Sequence, residues 1–245
     1  MNAKKSKEPE KKKLRARKKE KTREAILAAA EKFFSEKPMN DVILEDIAES
    51  AFISRTTLYN YFKNKDAIFF ELGIQRFIEK NRYVAERYPN DSPTVEQFLQ
   101  LVENAFISGQ NRPLYYIIVR EFYKRIHERN ISLKELHAKI TKSIGTPRFE
   151  KLLENSEEPY LIEFYVQLLK NTDLWSKVIK KGKTDGTITN DLKDEQIIQF
   201  VHMIISGIED QMRLRKPTLT RMRFEDPMII ENIVNLIALF LQNKK

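Results

Sequence analysis

Residues 47–72 read I-A-E-S-A-F-I-S-R-T-T-L-Y-N-Y-F-K-N-K-D-A-I-F-F-E-L. Their apolar positions divide the stretch into a short helix, a tight turn, a second short helix and the start of a third. Ile47 and Ala48 face inward from the first helix, and Ala48 is small enough to let its neighbour cross closely. Ile53 closes the space beneath the turn. Leu58 and Phe62, four apart, face inward from the second helix. Ser54 is placed to cap that helix by accepting a hydrogen bond from an otherwise orphan amide, and Asn64 does the same for the third. Arg55, Thr56, Tyr59 and Asn60 are left on the outer side, with Thr57, Tyr61 and Lys63 beside them.

An apolar frame holding two short helices, with hydroxyls, amides and cations presented by the second, is the pattern of a helix-turn-helix that enters the DNA major groove. Arg55 can pair bidentately with guanine, Asn60 with adenine, and the Thr56 methyl can meet thymine. Tyr59 and Tyr61 suit phosphate and sugar contacts, which orient a helix without reading sequence. Lys65 begins the third helix, where free amides and a positive dipole end would hold a phosphate.

Charge is unevenly spread along the 245 residues. Residues 1–23 carry twelve Lys or Arg against three Glu, and the rest of the chain is balanced at 32 of each sign. Residues 24–70, the proposed reading unit, hold five basic and eight acidic side chains. An acidic reading head is an awkward partner for phosphate, so the arm, with Arg15 and Arg17 at its centre, is expected to supply the missing charge. Such arms are also common as solvated, disordered tails, and residues 1–20 are expected to be one.

Cysteine is absent, which removes disulfide frameworks, thiolate zinc sites and cysteine nucleophiles. No apolar segment follows the basic start, and the apolar stretch around Ile229–Leu241 is broken by polar residues and too short to span a bilayer. A soluble cytoplasmic protein is expected, with no membrane partner and no cofactor. Enzyme readings fail on specifics. Gly182-Lys183-Thr184 mimics the end of a phosphate loop, but the earlier glycine position is Lys177 and no strand precedes it. His127, His137 and His202 share no short ligand spacing, so no metal site is expected.

Helical spacing recurs throughout and strand alternation does not, so the fold is expected to be all-α. Helices are expected at Lys21–Ser35, Leu44–Ala51, Arg55–Tyr61 and Lys65–Arg87. After a Pro-rich break at Pro89–Pro93, others should cover about 94–109, 113–128, 132–143, 147–154, 159–181, 194–215 and 226–242. The first should bury Ile26, Ala29, Ala30 and Phe33, with Phe34 beside them. The domains are then a helix-turn-helix DNA-binding domain at 21–66 and a larger helical domain at 67–245. The last two helices are apolar over more of their surface than one core needs. Ile197, Val201, Ile204 and Ile208 on one, with Ile233, Ile237 and Phe240 on the other, are candidates for a symmetric dimer interface.

At these residues the chain resembles the TetR family of bacterial transcriptional regulators. The resemblance is most specific in T-L-Y-N-Y-F-K-N-K-D-A-I, residues 57–68. I-L-A-A-A-E-K-F-F at 26–34 resembles the family's first helix, and K-K-G-K-T-D-G-T-I-T-N-D-L at 180–192 the turn before its dimerisation helices. It implies a homodimer, a C-terminal ligand-binding and dimerisation domain, and repression by operator binding that a small molecule relieves. Three positions depart from the pattern. Phe52 stands in the turn where the family usually has Gly, Val42 and Ile43 stand where a Thr or Ser would cap the second helix, with Asp41 as a displaced cap, and Thr56 replaces a usual Gly.

In the family's ligand-sensing members the cavity lies among the middle helices. Here that region holds Phe98, Phe106, Tyr116, Tyr123, His127, Phe164, Tyr165 and Trp175, which would suit an apolar or aromatic effector. Aromatic side chains at helical spacing are more often simple core. The rival reading of the whole chain is a ligand-independent structural or division-control DNA binder on the same fold. A second rival gives the arm to membrane or RNA.

Overall fold

The computed structural model describes residues 7–87, 94–111, 114–222 and 226–242; the Pro89–Pro93 break lies outside them. The chain divides into two compact units, Met1–Gly73 and Ile74–Lys245. Every described element is helical, and the helix order follows the expected one closely.

In the first unit, α1 (Lys7–Glu36), α2 (Leu44–Ser50) and α3 (Arg55–Tyr61) precede α4 (Lys65–Arg87), with one 3-10 turn at Met39–Asp41. Ile26, Leu27, Ala30 and Phe34 of α1 meet a core of Ile47, Ala48, Leu58, Phe62 and Phe69. The Phe34 and Phe69 rings lie edge to face at 5.0 Å. Phe34 rather than Phe33 takes the core position; Phe33 is half-buried beneath the Lys37 ammonium. Arg23 joins α1 to this core. Its guanidinium pairs with Glu71 at 2.9 Å and covers the Phe62 ring at 4.8 Å.

The first helix is much longer than expected. It begins at Lys7, so the segment from there to Glu20, expected as part of a disordered arm, is helical. Lys, Glu, Arg and Ala are strong helix formers. Pro9 sits in the first turn, where its missing N–H costs nothing. Residues 12–21 are exposed throughout.

The second unit contains the rest of α4, then α5 (Val95–Asn111), α6 (Leu114–Glu128), α7 (Leu133–Ser143), α8 (Pro147–Glu154), α9 (Pro159–Asp185), α10 (Asp194–Leu214), α11 (Lys216–Arg221) and α12 (Asp226–Gln242). Only the short α11 lacks a counterpart in the sequence reading. Thr94 and Gln97 cap α5 reciprocally, Ser132 caps α7 and Thr146 caps α8. The main core joins α5, α9, α10 and α12 through Val95, Phe98, Trp175, Ile179, Ile197, Val201, Ile233 and Ile237. A smaller one joins α7, α8 and α9 around Ile140, Ile162 and Val166.

Gly186 ends α9 in the left-handed conformation, φ 82°. Just before it, Gly182 is required by space: a Cβ there would lie 2.6 Å from Ile188 and 2.7 Å from Val95. Gly182-Lys183-Thr184 is therefore helical packing, not a phosphate loop. Lys183 donates to the Leu192 carbonyl at 2.6 Å and pairs with Asp194 at 2.9 Å, which fixes the start of α10.

Candidate nucleic-acid interface

The reading helix is built as its residue types require. Ser54 Oγ accepts from the Thr57 amide at 3.1 Å and shares a hydrogen bond with the Thr57 hydroxyl at 2.8 Å. Thr57 is thereby spent on the cap. Leu58 and Phe62 are buried, at 0% and 4% exposure, which turns Arg55, Thr56, Tyr59 and Asn60 outward. Lys63 is exposed beside them and Tyr61 half-buried. Seven residues rise about 10 Å, short enough to lie within a major groove about 12 Å wide.

Arg55 has partners on two sides. It pairs with Glu45 of α2 at 2.8 Å, and its guanidinium lies 5.5 Å over the Tyr59 ring. The Tyr59 hydroxyl first, and the Glu45 carboxylate second, hold it above the usual guanidinium range. Both partners are on exposed surface, so an incoming base edge can replace the carboxylate at little cost.

Lys65 has a different task from the one expected. Its ammonium donates to the carbonyls of Asn40 and Val42 at 3.0 and 2.9 Å, tying the start of α4 to the loop before α2. Two of its three donors are thereby occupied. Asn64 caps α4 as expected, accepting from Ala67 at 2.8 Å. The cap of α2 is Ile43, which offers no side-chain acceptor. The Lys65 bridge holds the loop that leads into α2, but, being a donor, it cannot accept from the free amides of that helix start.

Phe52 keeps the left-handed turn that glycine usually supplies. Its φ is 55° and its side chain is 96% exposed. The turn geometry is therefore retained, at a backbone cost of about 1 kcal/mol.

Arg15 and Arg17 lie on exposed α1, together with Lys12, Lys13, Lys18, Lys19 and Lys21. No carboxylate pairs with them among the described residues. From Lys7 to the first buried residue, Ile26, this helix runs roughly 28 Å at 1.5 Å per residue.

Residues 26–72 match the family model described as bacterial regulatory proteins, tetR family. The likeness to the tetR family is carried by this head, which is about a fifth of the chain. Over 48 residues it is 44% identical to the HTH-type transcriptional regulator EthR of Mycobacterium tuberculosis, a match spanning 20% of this chain and 22% of that protein. The chain thus matches about a fifth of the length of its curated relatives. Solved structures extend the likeness of fold. FadR of Bacillus subtilis, in complex with stearoyl-CoA, is 14% identical, with a TM-score of 0.60 over 89% of this chain and 98% of that one. NalD of Pseudomonas aeruginosa, a repressor of a multidrug efflux pump, is 20% identical, with a TM-score of 0.57 over 92% and 99%.

The residues nominated for an effector do not gather into one site. Phe98 and Trp175 are buried in the main core, ring against ring at 4.1 Å. Phe164 and Tyr165 join a separate aromatic group through Phe122, at 5.3 and 5.8 Å. Tyr123 and His127 are exposed, and the side chains of Phe106 and Tyr116 lie outside the described residues. The amides of this region were missed. Gln167 and Asn171 are buried on α9 at four-residue intervals before Trp175. Asn171 Oδ1 and Asn81 Nδ2 are buried with no hydrogen-bond partner among the described residues. His202 lies edge-on to Trp175 at 4.8 Å, and burial, with the Lys80 charge second, pulls it down to about 4. The signal available in the sequence was amides at core-facing positions of α9.

The proposed dimer face needs correction. Ile197, Val201, Ile233 and Ile237 are buried in the chain's own core, at 0–5% exposure, because α10 and α12 pack on each other and on α9 and α5. Ile204, Ile208 and Phe240 are partly buried against that same core. Among the described residues, the large apolar side chains left exposed on the two helices are Phe200, Met203 and Leu214 of α10 and Met228, Leu236 and Leu239 of α12; Phe200, Met203, Leu236 and Leu239 are the ones nearer their middle. Phe200 meets Phe240 at 5.7 Å, so the two exposed faces adjoin.

Proposed function

We propose that this protein is a sequence-specific DNA-binding transcriptional regulator that acts from the cytoplasm as a homodimer on a palindromic operator. The observation that carries the reading is α3: a side-chain-capped helix whose inward residues are apolar and whose outward row offers Arg55, Thr56, Tyr59 and Asn60. Arg55 and Asn60 take base edges; Tyr59, Tyr61 and Lys63 take backbone. The basic length of α1 supplies phosphate contacts that the acidic head lacks. A second copy covers Phe200, Met203, Leu236 and Leu239, which makes one apolar patch on adjoining helices, and two-fold pairing sets two reading helices at half-site spacing. Among the described residues no helix is long and apolar enough to cross a membrane.

Repression relieved by a small molecule is the regulatory mode that fits best. An effector shifts the protein off DNA only if it binds a non-operator form more tightly. The buried amides of Asn81 and Asn171 support an effector that joins an apolar body to hydrogen-bonding groups, rather than a purely apolar one. Genomic footprinting of the purified protein tests the reading. Protection of one or a few short palindromes supports a regulator. Coating of many unrelated sites would favour the rival DNA-structural role, for which the long basic helix is the supporting feature.

A further inference from the structure

The C-terminal unit buries two side-chain amides that its own packing leaves short of partners. Asn171 of α9 is 4% exposed, and its Oδ1 accepts no hydrogen bond among the described residues. The buried Nδ2 of Asn81, on α4, donates none. An atom left so in a dry interior costs about 1–3 kcal/mol. The two amides face each other. Phe77 and Asn81 share one stripe of α4, and Phe164, Gln167, Asn171 and Trp175 share one stripe of α9, at steps of three and four. Phe77 meets Phe164 edge to face at 5.4 Å, which sets the two stripes against each other. Past that contact the Lys80 charge reaches His202, whose ring lies on Trp175 at 4.8 Å, so both helices leave the Phe pair in the same direction. At 1.5 Å per residue, Asn81 stands about 6 Å and Asn171 about 10 Å beyond the pair. An orphan donor and an orphan acceptor thus flank one stretch of the interior between α4 and α9, without bonding each other.

We propose that this stretch binds a small uncharged carboxamide, whose carbonyl accepts from Asn81 Nδ2 and whose N–H donates to Asn171 Oδ1. The proposal rests on the reading of this region as an effector site and names that effector's chemistry. One unmet donor and one unmet acceptor call for a ligand edge that carries both complements. A carboxylate only accepts, and would leave Asn171 Oδ1 facing another acceptor. An ester has no donor. A single hydroxyl oxygen would have to reach both amides at once, across an offset of about 4 Å along the helices. The rings of Phe77, Phe164 and Trp175, all buried, take the apolar remainder of the ligand and make an ionised one costly. Lys80 can balance a ligand's negative charge, yet it leaves the acceptor at Asn171 opposed to an acceptor. Sites built around such pairs discriminate strongly against analogues that lack one partner.

Trp175 is the chain's one tryptophan and stands one turn from Asn171, so its fluorescence reports occupancy. The full chain, without DNA, is titrated with octanamide, octanoate, methyl octanoate and 1-octanol. A saturable change is expected with octanamide, and binding about tenfold weaker or more with the other three. Asn171→Leu should abolish that preference while the unligated melting temperature holds or rises, because an unmatched buried acceptor is gone. Asn81→Leu is the second variant, with the same expectation. No saturable response to octanamide, octanoate bound as tightly, or 1-octanol bound as tightly would overturn the proposal. A lower melting temperature in both leucine variants with the ligand preference unchanged would also overturn it, making the amides structural. Because no DNA is present, these outcomes are separate from the operator reading. Octanamide that binds as described yet leaves operator DNA bound would support this site and refute ligand-relieved repression.

Discussion

The reading head and the C-terminal unit present two kinds of functional surface. In the head, the partner is external and chemically fixed, so side chains of known pairing chemistry stand on a capped helix and the apolar frame does nothing but aim them. In the C-terminal unit, the same apolar spacing serves a core, a prospective dimer face and a prospective effector site at once. Periodicity tells which side of a helix is apolar. It does not tell what covers that side.

The largest effect that would break this comparison is at the dimer face. Met203→Glu with Leu239→Glu buries two unpaired charges if the face is an interface, costing several kcal/mol of association. Light scattering should then show monomers whose melting temperature is little changed. A dimer that persists would move the interface elsewhere. The converse pair, Ile204→Glu with Ile237→Glu, should lower the melting temperature sharply, since Ile237 is fully buried within one chain.

A smaller effect concerns His202. Its folded value of about 4 lies below the ordinary 6.5, so both states are neutral above pH 6.5 and the residue then contributes nothing to pH dependence. As pH falls through that window the unfolded chain binds the proton first. Stability should drop by up to about 3 kcal/mol by pH 4 and then level off. Thermal melts of His202→Gln should show a flatter profile there, while an unchanged profile would place the acid sensitivity on other groups.

Much of the head was legible because its constraints are local. Ser54 and Asn64 cap where their short side chains can reach, and Leu58 and Phe62 face inward at a spacing of four. What stayed hidden depended on partners distant in sequence. Lys65 serves the loop at Asn40 and Val42, 23 to 25 residues away, and Arg23 serves Glu71. The helical course of the basic arm was missed because high charge was read as disorder, although Lys, Glu, Arg and Ala favour helix. In the C-terminal unit the helices were legible and their faces were not. Ile197 and Ile237 read as a surplus apolar stripe, but the bundle of α5, α9, α10 and α12 consumes them. The aromatic residues drew attention away from Gln167 and Asn171, whose burial depends on tertiary packing.

At the head, Tyr59→Ala removes the ring beneath Arg55 and a backbone contact. DNA affinity should fall about tenfold, roughly 1.4 kcal/mol, with the melting temperature little altered, because Tyr59 is half-exposed. A collapsed melt would place Tyr59 in the core. The smallest effect expected is at the turn. Phe52→Gly relieves a left-handed φ and should stabilise the protein by somewhat under 1 kcal/mol after the entropy cost of glycine. Chemical denaturation that shows a loss instead would mean that the exposed ring stabilises the turn.

In the proposed division of labour, α3 reads bases and the basic length of α1 holds phosphates. Operator and random-sequence DNA affinities measured across a salt series, for the full chain and for a chain lacking residues 1–20, test it most directly. The salt slope should become shallower by about 0.9 for each phosphate that the shortened chain no longer neutralises, with the ratio of operator to random affinity preserved. An unchanged slope, or a shallower slope without the sequence preference, would contradict it.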